Sequence, residues 1–375
     1  DLEGKRFTFP AGVPAHVPVQ SFRPWSPEHP TLYPFSVTLG DDTVYSYFAM
    51  RKCSVETDKD GVRRLFLNGK PYFHNGLLDQ GYWPDGLYTA PSDDALVYDI
   101  QLAKDMGFNM LRKHIKVECD RWYYHCDRLG MLVWQDMVNG GSAYKHWFVT
   151  YLATLMNWNH ISFSDDEKHA GLLSRLHPEG KDEFRREITE TIAFLYNHPS
   201  IVVWVPFNEG WGQFDALAVC EQIRTLDSSR LVDHASGWFD QKGGDILSLH
   251  YYFLKLKFKP ESKRAAALTE FGGYSLSIPG HSCCKKVYGY KKFNSTGTLT
   301  YGYIDLIRQT ILPAVKKGIG ATVYTQLSDI EEETNGIYTY DREICKIDPD
   351  TLRKWNRALK EAGECKTYAD HTTDH

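Results

Sequence analysis

The chain has 375 residues, of which 42% are hydrophobic and 24% charged, with a formal net charge of −5. This composition matches globular proteins and excludes disordered and fibrous chains, and the charge gives no electrostatic footprint for nucleic acid or an anionic membrane. The longest aliphatic-aromatic run, Ile201 to Phe207 with one proline, is far shorter than the roughly 18 apolar residues that a membrane helix needs.

The chain opens on a proline-dotted stretch followed by two strand-like runs. These are Leu32 to Leu39 and Thr43 to Met50, joined by a Gly40-Asp41-Asp42 turn. A hairpin alone has one face to bury and nothing to bury it against. Residues 1–57 are therefore expected to be the C-terminal part of an immunoglobulin-like β-sandwich whose earlier strands lie outside this chain, together with any targeting signal. Residues 58–375 are expected to form a second domain.

From about residue 65 strand and helix alternate. Short apolar runs occur at 72–78, 108–112, 130–134, 201–207, 230–233, 246–249, 265–268 and 319–324. Helical periodicities separate several of them. Ser92 caps a helix with Asp93 and Asp94 in its first turn and Leu96, Ile100 and Ala103 on one face, ending at Gly107. Phe184, Ile188, Ile192 and Leu195 repeat with the same period, as do Ile304, Ile307, Ile311 and Ala314. Eight strands alternating with helices predict an α/β fold of the (β/α)8 TIM barrel type. The open doubly wound sheet is the alternative, but no glycine-rich phosphate loop follows any strand. Three connections are long, at 137–180, 272–299 and 326–349. The first, carrying Tyr144, Trp147, Tyr151 and Trp158, is expected to be a lid or subsite wall.

In a barrel, chemistry belongs at the C-terminal ends of the strands. The run Ile201 to Gly212 is a buried strand that ends in Asn208-Glu209, which is expected to place one carboxylate at the barrel mouth between Trp204 and Trp211. A carboxyl group set among aromatic rings loses hydration, which disfavours its charged form and suits a general acid. A second run, Ala265 to Gly273, also ends in a carboxylate, Glu270. The two are about three βα units apart, which places them on the fourth and seventh strands, facing each other across the barrel mouth. Paired carboxylates there suggest glycoside hydrolysis. A metal site would be their competing use, and His114 and His250 are available, but no HxH or HExxH pair exists. The eight cysteines, among them adjacent Cys283 and Cys284, form no CxxC pair, so free thiols in a reducing compartment, weakly favouring the cytoplasm, are expected.

On these residues the chain resembles glycoside hydrolase family 2, the retaining exo-β-glycosidases related to β-galactosidase, β-glucuronidase and β-mannosidase. Asn197-His198-Pro199-Ser200-Ile201-Val202-Val203-Trp204 through Asn208-Glu209 is similar to the family's acid/base signature, departing at Tyr196 and Val205. Asn109-Met110-Leu111-Arg112 through Asp127-Arg128-Leu129-Gly130 follows the spacing of its other signature, with Ile115-Lys116-Val117 where His-Tyr-Pro is usual. The resemblance implies Glu209 as acid/base and Glu270 as nucleophile. It implies Asn208 as a ligand of the sugar 2-hydroxyl, Arg112 as the group that keeps the nucleophile ionised, and His250 and Tyr252 as the sixth-strand His-x-Tyr, with Tyr252 bonded to Glu270. Tyr324-Thr325-Gln326 stands where the family often has Trp. Asp79, Gln80, Tyr82 and Trp83 after the first strand, Asp136 after the third, and Trp211 are further candidates for sugar contact, as is Asp329. The acidic run Glu331-Glu332-Glu333 reads as a solvated loop, and Lys113 and Lys116 as structural salt-bridge partners. The expected function is hydrolysis of a terminal β-linked sugar, β-galactoside first and β-glucuronide second, with a carbohydrate as the binding partner and no cofactor. A catalytically silent carbohydrate-binding barrel is the competing class, and homo-oligomerisation through the long loops or absent domains is left open.

Overall fold

A computed structural model describes residues 2, 4–143, 145–159, 161–252 and 256–364. Tyr33–Leu39 and Asp42–Phe48 pair antiparallel across the Gly40 turn, from Tyr33 opposite Phe48 to Leu39 opposite Asp42. The hairpin is pinned to the rest of the chain through Tyr47, whose hydroxyl donates to Asp127 Oδ2 at 2.7 Å. Arg51, just beyond it, donates to the carbonyls of Pro199, Ile201 and Ser229. A second antiparallel ribbon, Cys53–Thr57 with Arg63–Leu67, carries the chain across position 57 to the barrel.

The barrel is one sheet of eight parallel strands. In chain order they are His74–Asp79, Met110–Lys113, Leu132–Asp136, Ile201–Val205, Leu231–Val232, Ile246–Tyr251, Ala265–Gly272 and Ile319–Thr325. Each pairs with the next in sequence except the fifth with the sixth, and the eighth pairs with the first, so the sheet nearly closes. Between the fifth and sixth strands, Asp245 bridges the seam: its N–H donates to Val232 O, and its carboxylate accepts from the Val232 N–H. All eight strands therefore overlap the apolar runs, seven ending within two residues of them and the seventh strand running four residues beyond. Leu65 and Leu67 join Met110, Ala265, Ala267 and Ala321 in an apolar cluster of the barrel, so the ribbon 53–67 contributes to the barrel's core.

The helices follow the same logic. Ser92 caps Asp93–Asp105 by accepting from the Ala95 N–H at 3.2 Å, and Leu96, Ile100 and Ala103 are buried. Pro178–Leu195 buries Phe184, Ile188, Ile192 and Leu195 on one face. The periodicity around Ile304 becomes Thr296–Leu306, a π-helical turn over Ile307–Ile311, and Leu312–Lys316. Among the described residues no helix is long and apolar enough to cross a membrane.

The two signatures meet in space. Asp127 accepts from His198 Nδ1 at 2.7 Å and from the Ser200 N–H at 2.8 Å, which ties the helix after the second strand to the turn that launches the fourth. Burial alone would discharge His198, but its bonds to Asp127 and Asp120 hold its pKa above the usual histidine value. The Asn-His-Pro turn thus sets where the fourth strand starts, and so where Glu209 ends up.

Candidate active site

Glu209 follows the fourth strand with φ of 51°, in the left-handed region. Its N–H donates to Ser236 O at 2.9 Å, which fixes the turn after the strand. Glu270 sits within the seventh strand and is 5% exposed. One ligating atom each from Glu209, His250 and Glu270 lies within 4.8 Å of the others, so the two carboxyl groups share one small space.

Arg112 underlies it, fully buried at the end of the second strand. Its Nε and Nη2 donate to the two oxygens of Asp136 at 3.0 and 3.1 Å, and Nη1 to Glu270 Oε1 at 3.2 Å and Thr269 O at 3.0 Å. Nη2 also donates to Asn208 Oδ1 at 2.8 Å, which fixes that amide with its oxygen toward the guanidinium and its NH2 on the other side. Burial would raise the Asp136 pKa, but Arg112 and His114 hold it below the usual carboxylate range. Tyr252 donates its hydroxyl to Glu270 Oε2, and its ring stacks on Tyr290 at 3.8 Å between centroids.

His250 stands between the two acids, with Nδ1 at 2.8 Å from Glu209 Oε1 and Nε2 at 3.7 Å from Glu270 Oε1. Gly237 makes room for it, since a Cβ there would fall 2.7 Å from the ring. Burial pushes the imidazole down to about 4, so it is neutral at physiological pH. Burial pushes Glu209 the other way, up to about 7, against the opposing pull of His114 and Arg112. The pair therefore offers one acid that holds its proton near neutrality beside one carboxylate clamped by a guanidinium, the division of labour that two-carboxylate chemistry requires.

The surrounding cavity has a volume of about 380 Å³, within the range of small-molecule sites. Its walls include Trp238, Tyr288 and Tyr290, the Thr150 to Trp158 segment of the first long connection, and Glu332 and Glu333. The Trp238 indole N–H is buried and has no hydrogen-bond partner among the described residues.

The structure brings Glu209, Glu270, Asn208, Arg112, His250 and Tyr252 together. Asp136 lies behind Arg112, joined also to His114 at 2.8 Å. Asp79 is buried and accepts from Lys113 at 2.6 Å and the Gly81 N–H at 2.9 Å. Lys113 and Lys116 in turn share Glu118, so those lysines are structural ion-pair partners. Trp83 lies under the Arg342 guanidinium, 4.3 Å from its ring centre, and Trp211 donates its indole N–H to Ser142 O at 3.3 Å. Asp329 is paired with Lys346 at 2.6 Å.

Two expectations are corrected. Trp204 does not flank Glu209: it points to the helix layer, fully buried, with its indole donating to Asp227 at 2.9 Å. Strand alternation decides this, because successive side chains face opposite sides of the barrel wall. Of the aromatics in the first long connection, Trp158 lines the cavity, Trp147 and Tyr151 are exposed, and Tyr144 lies outside the described residues. Nor is the run 331–333 uniformly solvated. Glu331 is exposed and Glu332 pairs with Lys286, but Glu333 turns inward and accepts from Gln326 Nε2 at 2.9 Å. Burial raises the Glu333 pKa, and nearby Glu270 adds to the effect. Its signal in the sequence was three like charges in a row, which carries no information about which one faces in. Among the described residues a second group of possible metal ligands, His281, Asp341 and Glu343, is a partly exposed ion-pair cluster away from this cavity.

Residues 59–311 match the profile of the TIM barrel domain of glycosyl hydrolases family 2. A β-galactosidase of Leuconostoc mesenteroides is 26% identical over 97% of this chain and 33% of its own length. One from Lactococcus lactis is 28% identical over 60% of this chain and 20% of its own. The chain thus spans a third or less of the length of these relatives. Among solved structures, a family 2 β-galacturonidase of Eisenbergiella tayi bound to galacturonate superposes with a TM-score of 0.66 at 18% identity, covering 93% of this chain and 61% of that one. A β-D-glucuronidase of Dictyoglomus thermophilum gives 0.66 at 15% identity, covering 89% and 59%. These likenesses show the barrel fold.

Proposed function

The chain belongs to glycoside hydrolase family 2, and from that premise we propose that it is a retaining exo-β-glycosidase in which Glu270 is the nucleophile and Glu209 the acid/base. The observation that carries this reading is the approach of the two carboxyl groups, with an oxygen of each inside 4.8 Å. Inverting enzymes hold the pair roughly 6.5–9.5 Å apart to admit a water, and retaining enzymes about 5–5.5 Å apart. In the first step a Glu270 oxygen forms a bond to the anomeric carbon while the glycosidic bond breaks and Glu209 gives its proton to the departing oxygen. In the second, water attacks that carbon, Glu209 takes the water's proton, and Glu270 leaves as a carboxylate. Asn208, oriented by Arg112, donates to the sugar 2-hydroxyl.

The substrate is a neutral β-linked sugar, with a β-galactoside as the first choice. Among the described residues lining the cavity, Glu209, Glu332 and Glu333 carry carboxyl groups, and Lys257 is the lysine or arginine present. Lys257 is exposed and sits 3.6 Å above the Trp158 ring. Lys113 and Lys116 are spent on Asp79 and Glu118. A uronate carboxylate would therefore meet the carboxyl groups of Glu332 and Glu333 with the exposed Lys257 as the one lining lysine or arginine among the described residues to offset them. The β-galactosidase relatives agree with this choice, and the β-glucuronidase reading stays second. A panel of nitrophenyl β-glycosides tests the proposal, with NMR of the first-formed anomer. Turnover of a neutral glycoside with net retention is expected. Inversion, or no hydrolysis of any member, would overturn it.

A further inference from the structure

Beneath Glu209 a chain of hydroxyls runs to a second buried carboxyl group, Asp233, at the end of the fifth strand. Ser248 Oγ lies 3.0 Å from Asp233 Oδ2 and 2.5 Å from Thr269 Oγ1. Ser236 Oγ lies 3.1 Å from Thr269 Oγ1, 3.3 Å from Ser248 Oγ and 3.2 Å from His250 Nε2, Thr269 Oγ1 also lies 3.4 Å from Leu249 O, and His250 Nδ1 lies 2.8 Å from Glu209 Oε1. All six residues except Glu209 are buried, and Asp233 Oδ1 has no hydrogen-bond partner among the described residues.

Each hydroxyl has a single hydrogen, and that rule propagates along the chain. An ionised Asp233 only accepts, so Ser248 must donate to it. Ser248 can then only accept from its other hydroxyl neighbours, the hydrogen of Ser236 turns to Thr269 or directly to Ser248, and Ser236 takes the Nε2–H of His250. A neutral His250 held in that tautomer turns a bare Nδ1 to Glu209, and a bond there requires the proton on Glu209. In the reverse orientation His250 donates from Nδ1 to an ionised Glu209, every hydroxyl turns about, and Asp233 must carry the proton to keep its bond to Ser248. One proton thus satisfies both ends of the chain.

We propose that Asp233 is a positioning residue that shares one proton with Glu209 through His250, Ser236, Thr269 and Ser248, and thereby holds Glu209 in its protonated form before the glycosidic bond breaks. This rests on the reading of Glu209 as the acid/base. Once Glu209 has delivered its proton to the leaving oxygen, both ends of the chain are carboxylates that only accept, and the chain can donate to one of them and not to the other. That frustration makes Glu209 a stronger base toward the incoming water, whose proton restores the pair.

The charges around the two groups are consistent with sharing. Burial pushes Asp233 up to about 6, opposed by Arg112, His234 and the Ser248 bond and assisted by Asp136. Glu209 faces His114, Arg112 and His250, and His250 also faces Glu270. Tyr252 and Tyr290, which also lie near Glu209, are pushed up by burial and stay neutral. With the two groups this close in affinity, a proton coupled through the chain can reside on either of them.

The test is the pH profile of kcat/KM on an aryl β-galactoside for wild type, Asp233→Asn, Ser236→Ala and Ser236→Thr. The neutral amide removes a charge and satisfies Ser248 in either direction, and alanine removes the one hydroxyl in contact with His250 Nε2 and so interrupts the chain. Both should move the basic limb down by about one pH unit, while threonine leaves it in place. A basic limb unmoved in both Asp233→Asn and Ser236→Ala would overturn the proposal, since a merely structural role lowers rates without shifting the limb. An infrared titration without substrate gives a second readout. The protonated-carboxyl band that Glu209→Gln abolishes should titrate about one unit lower in Asp233→Asn. An unchanged midpoint would also overturn the proposal. Because this band needs no turnover, an inactive wild type would refute the acid/base reading and still leave the shared proton open to measurement.

Discussion

A carboxyl oxygen of Glu209 lies within 4.8 Å of one from Glu270, although the two residues come from strands on different sides of the barrel. Between them His250 is too weakly basic to carry charge at neutral pH, so it separates the acids by hydrogen bonding and does not neutralise either. Their different behaviour must come from their other neighbours. Glu270 has the Arg112 guanidinium and the Tyr252 hydroxyl, while Glu209 has burial and an imidazole nitrogen.

The nucleophile gives the most direct prediction. Glu270→Ala should cut turnover by several orders of magnitude with the fold intact, because the glycosyl-enzyme bond cannot form. Sodium azide, small enough to occupy the vacated carboxylate's place, should restore part of the rate and yield a glycosyl azide of inverted configuration, identifiable by NMR. Wild-type turnover in the variant would remove Glu270 from the mechanism.

A second prediction concerns pH. Glu209 works as an acid only while protonated, and burial sets its pKa at about 7 in the free protein. Activity measured as kcat/KM should therefore be present below that value and fall as the pH rises through it. Glu209→Gln should abolish this basic limb. It should also slow alkyl glycosides far more than nitrophenyl glycosides, whose leaving groups need little protonation. Equal losses on both substrate types would mean that Glu209 positions the sugar and does not protonate the leaving group.

Removal of Arg112 should damage stability as well as rate. The side chain is fully buried and donates to Asp136, Glu270, Asn208 and the Thr269 carbonyl. Arg112→Met strands two carboxylates in a low-dielectric interior, at a cost of about 3–5 kcal/mol. Arg112→Lys keeps the charge but cannot form the fork to Asp136, so it should recover part of the stability and little of the rate. Denaturant unfolding would measure the first effect. A loss below about 1 kcal/mol in Arg112→Met would contradict the role given to this network.

Glu333 should set sugar preference. It lines the cavity, held by Gln326, with no lysine or arginine bonded to it among the described contacts. Glu333→Gln keeps the shape and removes the charge. It should lower kcat/KM for a neutral β-galactoside by about tenfold and raise the β-glucuronide to β-galactoside ratio by at least as much. A parallel fall for both substrates would show that Glu333 only supports Gln326.

The sequence determined the hairpin at 33–48, the eight barrel strands and the two carboxylates at their mouths, because each of these is written locally. The Gly40-Asp41-Asp42 turn, the apolar runs and the repeat of strand and helix need no distant partner to be read. The repeat also places every strand's C-terminal end on one face, and that brings Glu209 and Glu270 together. It did not determine which way Trp204 points, which member of the run 331–333 turns inward, or that Ser236, Ser248 and Thr269 join Asp233 to Glu209. Those facts depend on the pleat of a single strand, on one tight turn, and on hydroxyls contributed by three separate elements. A serine reads the same wherever it stands, and only closure of the barrel, with burial raising the cost of any unmet hydrogen bond, makes these particular ones partners.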